Sequence, residues 1–303
     1  MHLPLRLGTR GSPLALTQAR MVSAALRAAN HWNDEAIEIV PIRTSGDRIQ
    51  DRPLAEVGGK ALWTKELDRA LMDGEIDFAV HSMKDVETIR PPEIVIAAML
   101  ARADVRDRLI GAESIGALPP GARIGTSSPR RSAQLLRLRP DFRIVLFRGN
   151  VDTRLSRLNL GEAEATLLAA AGLDRLGRPE IGAPIPEELM LPAPAQGAVG
   201  IETLAARDDV KALLAAIDDG ATSLCVRTER ALLAALGADC RSPVAALATL
   251  EGGRLRLRAE ILTEDGRERE AGEVWIDAPE DAAALARALL GRAGPALRAH
   301  FTG

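Results

Sequence analysis

The chain begins two segments in the same way, and that repetition limits its folds more than any other feature. Leu5-Arg6-Leu7 runs into Gly8-Thr9-Arg10-Gly11-Ser12-Pro13, and later Arg123-Ile124 runs into Gly125-Thr126-Ser127-Ser128-Pro129. Each time a short apolar strand meets a Gly-Thr loop, and a serine followed by proline opens a helix. Serine satisfies an orphan N–H at a helix start, and proline has none to leave unsatisfied. Beyond Ser12, the residues Leu14, Ala15, Ala19, Val22 and Leu26 form a helical stripe; beyond Ser128, Leu135, Leu136 and Leu138 do the same as far as Pro140. Gly-Thr and Ser-Pro are common pairs, yet two such starts predict two similar α/β domains.

The intervening pattern agrees. Strands are expected at Ile37 to Ile42, Ile76 to Phe78 and Ile94 to Ala97, with a helix from Gly58-Gly59-Lys60 through Leu62, Leu67, Ala70 and Leu71 to Gly74. After Pro119-Pro120-Gly121 come a strand over 143–147, a helix over 151–158 and a strand over 165–168. Pro184, Pro186, Pro192 and Pro194 mark a linker, after which 197–202 reads as a strand returning to an existing sheet. Helices near 208–217 and 221–236 follow, then strands at 244–250, 255–262 and 273–276 and a helix over 282–297. Alternating strands and helices imply mixed sheets with helices on their faces, and the closing run of strands implies a small α+β domain. The expected division is 1–99 with 195–219, then 100–194, then 220–303.

Composition narrows the function classes. Aromatics make up 2% of the 303 residues, with no Tyr, so the cores must be aliphatic. No apolar run approaches the roughly 20 residues of a membrane span, and Met1 to Arg6 lacks the pattern of a secretion signal. Cys225 and Cys240 form no disulfide framework, and with four His they give no metal-site spacing, so a reduced cytoplasm is expected. A net charge of −3 argues against non-specific nucleic-acid binding. Within that near-neutral chain, arginines gather at Arg130-Arg131, Arg148 and Arg154, as in a site for a polyanion.

Four strand exits carry the candidate chemistry. Gly125 to Arg131 combines unpaired helix N–H groups, two serine hydroxyls and two forked cations, a good anion site. The alternative is a capped helix with solvated arginines. Arg148-Gly149-Asn150-Val151 with Thr153-Arg154 repeats the arrangement, as do Arg10 and Ser12. The fourth exit is Val80-His81-Ser82-Met83-Lys84-Asp85-Val86, where ligands of open α/β sheets bind; taken alone, Lys84-Asp85 reads better as a solvated turn. Gly58-Gly59-Lys60 lacks phosphate-loop spacing and reads as a loop with a basic tip. His81 reads as a hydrogen-bonded strand-end residue and Cys225 as a buried thiol. Cys240, in Gly237-Ala238-Asp239-Cys240-Arg241-Ser242-Pro243, has a neighbouring Arg that would favour thiolate, although a free loop cysteine without a role is the default reading of this motif alone.

Taken in order, these motifs, together with Gln196-Gly197-Ala198-Val199-Gly200-Ile201-Glu202 and the loop cysteine, resemble the hydroxymethylbilane synthase (porphobilinogen deaminase) family over nearly the whole chain. The resemblance implies two α/β domains of the periplasmic-binding-protein type with the active site in the cleft between them, and a third domain carrying the cysteine. It implies a transferase that deaminates four porphobilinogen molecules, joins them head to tail on a dipyrromethane primer, and releases hydroxymethylbilane by hydrolysis. The primer would be a covalent cofactor held by a thioether to Cys240. Asp85 matches the catalytic aspartate. Lys84, Ser127, Ser128, Arg130, Arg131 and Arg154 would hold cofactor carboxylates, and Arg10, Ser12, Lys60, Arg148, Arg154 and Arg175 the substrate and growing chain. A cytoplasmic monomer with no metal, nucleic-acid or membrane partner is implied. Pro129, Trp63, Glu87 and Ala238-Asp239 depart from the family's usual residues, the last pair putting the cysteine loop's backbone shape in question.

Overall fold

The computed structural model describes residues 3–44 and 64–301. In chain order, strand β1 (Leu5–Arg10), helix α1 (Pro13–Asn30), β2 (Ile37–Ile42), α2 (Lys65–Met72), β3 (Phe78–Ser82) and β4 (Ile94–Met99) come first. Next are β5 (Asp107–Ile110), β6 (Arg123–Gly125), α3 (Pro129–Leu138), β7 (Arg143–Val145), α4 (Val151–Asn159), β8 (Ala165–Ala169), α5 (Ala170–Arg175) and β9 (Ala183–Pro184). Then follow β10 (Val199–Leu204), α6 (Asp208–Ala215), α7 (Gly220–Leu236), β11 (Val244–Glu251), β12 (Arg254–Leu262), β13 (Arg269–Ile276), α8 (Ala282–Arg292) and α9 (Pro295–Arg298).

Two compact units divide the described residues: 3–44, 64–103 and 197–223 in the first, and 104–196 and 224–301 in the second. The first unit holds one five-stranded sheet, ordered β2-β1-β3-β10-β4. Strand β1 lies parallel to β2 and β3, while β10 runs antiparallel to β3 and β4. The run at 197–202 thus does return to an earlier sheet, as strand β10. Ala19, Val22 and Leu26 of α1 cover one face against Leu7, Val80 and Ile201. Leu67, Ala70 and Leu71 of α2 cover the other against Ile76, Ala79 and Ile94.

The second unit repeats that sheet as β7-β6-β8-β5-β9, with β6 parallel to β7 and β8, and β5 antiparallel to β8 and β9. Strand by strand, the order and the relative directions match those of the first sheet, so the repeated opening is a repeated topology. The unit's other sheet is antiparallel, β11-β12-β13. Its inner face packs Val244, Leu257 and Ile261 against Leu232 and Leu236 of α7 and Leu285 and Leu289 of α8. The class is therefore α/β with mixed sheets plus a small three-stranded antiparallel sheet. Strands β5 and β9 and helix α5 add to the elements expected from sequence, and β9 includes Pro184 of the expected linker. The last helix is two, because Gly294-Pro295 starts a new one. Gly58-Gly59-Lys60 lies outside the described residues.

Candidate active site

In the first unit, β1 and β3 are parallel neighbours, so their carboxyl ends open at the same edge. Ser12 caps α1 there: its Oγ accepts from Ala15 N at 3.3 Å, and Pro13 takes the first helical position. Thr9, fully buried, donates its hydroxyl to Ala15 O at 3.2 Å and fixes the loop between strand and helix. Strand β3 ends at Ser82, and Met83–Asp85 forms one turn of 3-10 helix. That turn is anchored from inside. Met83 N donates to Ala198 O at 3.1 Å, and the buried Met83 side chain fills the space a side chain at Gly200 would need, with Cγ 2.7 Å from where a Cβ would sit.

The result is a pocket lined by Arg10, Ser12, Leu14, Ala15, Gln18, Val80, His81, Ser82 and Asp85. Three residues singled out in the sequence, Arg10, Ser12 and Asp85, meet here. Asp85 is half-buried, and its carboxylate accepts no hydrogen bond from any described residue. Lys84 is half-buried on the same turn but does not line the pocket. Gln18 was missed. Its amide bonds the Ser82 hydroxyl at 2.8 Å, and the available signal was a polar residue one turn beyond Ala15 beside the apolar stripe.

His81 is turned to the interior, with Nε2 3.2 Å from Glu202 Oε2 on β10. Burial opposes ionisation of Glu202, but the adjacent His81 ring and the Arg90 guanidinium outweigh it and hold the carboxyl at about 2. His81 thus borders the pocket as a partner of Glu202.

In the second unit, Ser128 caps α3, its Oγ accepting from Arg131 N at 3.4 Å, and Thr126 Oγ1 accepts from Ser128 N at 3.1 Å. Gly125 is required there, since a Cβ would sit 2.5 Å from Cγ of Phe147. The two arginines do not extend into solvent. Arg130 and Arg131 are 3% and 5% exposed, and Asp107 of β5, 2% exposed, stands between them. Arg130 Nη1 and Arg131 Nη2 each lie 2.8 Å from an oxygen of Asp107. Arg131 also donates to Leu167 O at 2.8 Å, Arg130 to Leu191 O at 3.0 Å, and Gln196 Nε2 to Asp107 at 2.9 Å. Burial disfavours the Asp107 carboxylate, but the two guanidinium groups hold its pKa far below the ordinary range. Burial lowers the pKa of Arg130, and Asp107 partly restores it. Sequence reading missed Asp107 altogether. The Nε groups of both arginines are buried and find no acceptor among the described residues.

The other exits are ordered as expected. Asn150 caps α4 through Thr153 N at 2.9 Å, Arg154 Nε donates to Gly149 O at 3.0 Å, and Gly149 has φ +105°. Arg148 is buried, and Arg175, half-buried at the end of α5, has its pKa lowered by burial. Cys240 is exposed and Cys225 buried. Asp239 grips Arg241 with four hydrogen bonds, three from the guanidinium at 2.7, 3.1 and 3.4 Å and one from the backbone N–H at 2.8 Å. Arg241's charge is therefore shared with Asp239 and not left for the thiol alone. Ser242 N returns to Asp239 O at 3.0 Å, so the loop closes with Ala238-Asp239 in place of glycines.

Known proteins match this chain along its length. The family profile described as "Porphobilinogen deaminase, dipyromethane cofactor binding domain" covers residues 5–212, and "Porphobilinogen deaminase, C-terminal domain" covers residues 223–291. The porphobilinogen deaminase of Sphingopyxis alaskensis is 59% identical over 98% of this chain and 96% of its own length. That of Paracoccus denitrificans is 52% identical over 96% and 95%. Among solved structures, a periplasmic binding protein of Salmonella typhimurium matches with a TM-score of 0.40 and 13% identity, over 72% of this chain and 93% of that one. With two family profiles spanning both units and close relatives matched end to end, this chain belongs to the porphobilinogen deaminase family.

Proposed function

We propose that the pocket of Arg10, Ser12, Gln18 and Asp85 receives porphobilinogen and that Asp85 is the catalytic residue. The chain is a transferase of tetrapyrrole biosynthesis that deaminates four porphobilinogen molecules, joins them head to tail on a dipyrromethane primer, and releases hydroxymethylbilane by hydrolysis. The observation that carries the assignment is the half-buried Asp85 carboxylate, lining a pocket with a guanidinium and accepting nothing from the described residues. Such a carboxylate accepts a hydrogen bond from a pyrrole N–H and stabilises the positive charge that develops as ammonia leaves. Moving a proton from that position contributes about 10²–10⁴ in rate. Arg10 supplies a forked cation for a porphobilinogen carboxylate. Ser12 spends its oxygen on the Ala15 cap and keeps its O–H proton for the ligand.

The residues present also fit the dipyrromethane group. Cys240 offers an exposed thiol for a thioether, and Arg130 and Arg131 carry buried Nε–H donors that lack acceptors among the described residues. With Lys84, Ser127, Ser128 and Arg154 they would hold its carboxylates. When bound, the group supplies the pyrrole carbon to which the first porphobilinogen is joined. Arg148, Arg154 and Arg175 are proposed to hold the lengthening chain, with Lys60 as a further contact. A cytoplasmic monomer is part of the proposal; among the described residues no helix is long and apolar enough to cross a membrane. So is a division into 1–99 with 195–219, 100–194 and 220–303, supported by one sheet falling in each segment.

Asp85→Asn tests the central assignment. Folding, read by circular dichroism and melting temperature, is expected to be retained while turnover falls by about 10²–10⁴. Normal turnover in that variant refutes it.

A further inference from the structure

Behind the Asp85 turn lies a charged cluster that the proposed chemistry does not use. Arg90, with its side chain 8% exposed, sits at its centre. Its Nε and Nη2 reach the two oxygens of fully buried Glu202 at 2.8 and 2.9 Å, and Nη1 reaches Glu87 Oε2 at 2.6 Å. Nη2 also pairs with Asp68 of α2, and Nη1 lies 3.3 Å from Thr64 Oγ1. Thr64 in turn donates to Glu87 Oε2 at 2.8 Å, and His81 approaches Glu202 from the other side. One planar guanidinium therefore joins β10, the start of α2 and the chain just past Asp85.

A surface ion pair would contribute little, but this one is dry and forked, and both features raise its effect on geometry. Met83 and Val86 are buried and fix the turn's inner side. At Val86 the backbone is extended (φ −87°, ψ 131°), and the next residue, Glu87, is bonded through its side chain to Arg90, which in turn reaches Glu202 of β10. We propose that Glu87 and Arg90 are positioning residues that clamp the Asp85 turn to β10 and α2 and so fix where the Asp85 carboxylate stands in the pocket. This rests on the reading of Asp85 as the catalytic residue.

The test is Glu87→Ala, which releases the turn but leaves Arg90 its bonds to Glu202 and Asp68. Arg90→Lys, which keeps the charge without the fork, accompanies it in case one variant folds poorly. A misplacement of about 1 Å costs up to about 10² in rate, so kcat is expected to fall at least tenfold in Glu87→Ala while KM and melting temperature stay close to wild type. In an Asp85→Asn background Glu87→Ala is expected to cost nothing more, because the residue it positions is gone. Unchanged kcat in both Glu87→Ala and Arg90→Lys overturns the clamp, as does an equal loss in the Asp85→Asn background. Should Asp85→Asn itself turn over normally, the reading of Asp85 fails and this inference with it. An inactive Asp85→Asn beside fully active Glu87→Ala and Arg90→Lys variants removes the clamp alone.

Discussion

Asp107→Ala is the perturbation that separates a buried charge cluster from a pair of solvated arginines. In the wild type the Asp107 carboxylate takes a guanidinium on each oxygen at 2.8 Å and the Gln196 amide at 2.9 Å, all shielded from water. Removing it leaves two like charges side by side with no counterion between them. Breaking a buried pair by deleting one partner costs about 3–5 kcal/mol. Solvated arginines would give about 0–1 kcal/mol. At about 2–4 °C per kcal/mol for a chain of this order, the buried case predicts a melting temperature lower by roughly 6–20 °C. Differential scanning fluorimetry at low and high salt measures it, and the loss should persist in salt because a dry pair is little screened. Asp107→Asn keeps the shape and one acceptor and should fall between wild type and Ala. A shift under about 2 °C for Asp107→Ala would refute the reasoning, since it would mean that Arg130 and Arg131 do not depend on Asp107.

Two further outcomes follow from the same electrostatics and from the cysteine loop. Glu202 titrates at about 2 when folded against a usual 4.5, so its stabilisation is complete above about 4.5 and is lost as pH falls through about 2. That is about 3 kcal/mol, and Glu202→Gln should lower stability at pH 7 while flattening its fall between those values in acid titrations of the urea midpoint. For Cys240, intact mass of freshly purified holoenzyme should exceed that of its bare chain, and that of Cys240→Ser should match its own; a wild-type mass equal to its bare chain would remove the thioether.

How much of this was legible in sequence depends on how far apart the interacting residues lie. Helix caps are local, an acceptor at one residue and an N–H three later, so Ser12 and Ser128 announced their helices and the structure uses both as read. The return of β10 was visible because 197–202 is an apolar run with no partner nearby in sequence. Strand β5 was not: Asp107-Arg108 looks like a solvated turn until Arg130 and Arg131 arrive from α3 to bury the carboxylate. Ile89-Arg90-Pro91-Pro92 likewise reads as a loop, and nothing local says that Arg90 will meet Glu202 on a strand 112 residues away. The break at Gly294-Pro295 was present in the sequence but was overridden by the continuing apolar period. The pocket itself was half legible, through Arg10, Ser12 and Asp85, because strand exits are where such sheets bind.

The arginine-bearing exits show why a motif and a site are different things. At the first exit Arg10 lines the pocket. At the second, Arg130 and Arg131 turn their Nη atoms inward to Asp107, so the motif first does structural work across β5, β8 and α3. A local pattern cannot distinguish these cases, because both begin with the same capped helix. The physical distinction lies in what the pairing leaves over: Asp107 takes one Nη of each guanidinium and Glu260 acts on Arg130 as a further negative charge, but two buried Nε–H groups remain without acceptors among the described residues. A buried donor without an acceptor is costly unless an acceptor approaches it. An anion-binding role for Arg130 and Arg131 therefore does not compete with their structural pairing. The proposed role would use the part of their hydrogen-bonding capacity that Asp107 leaves over.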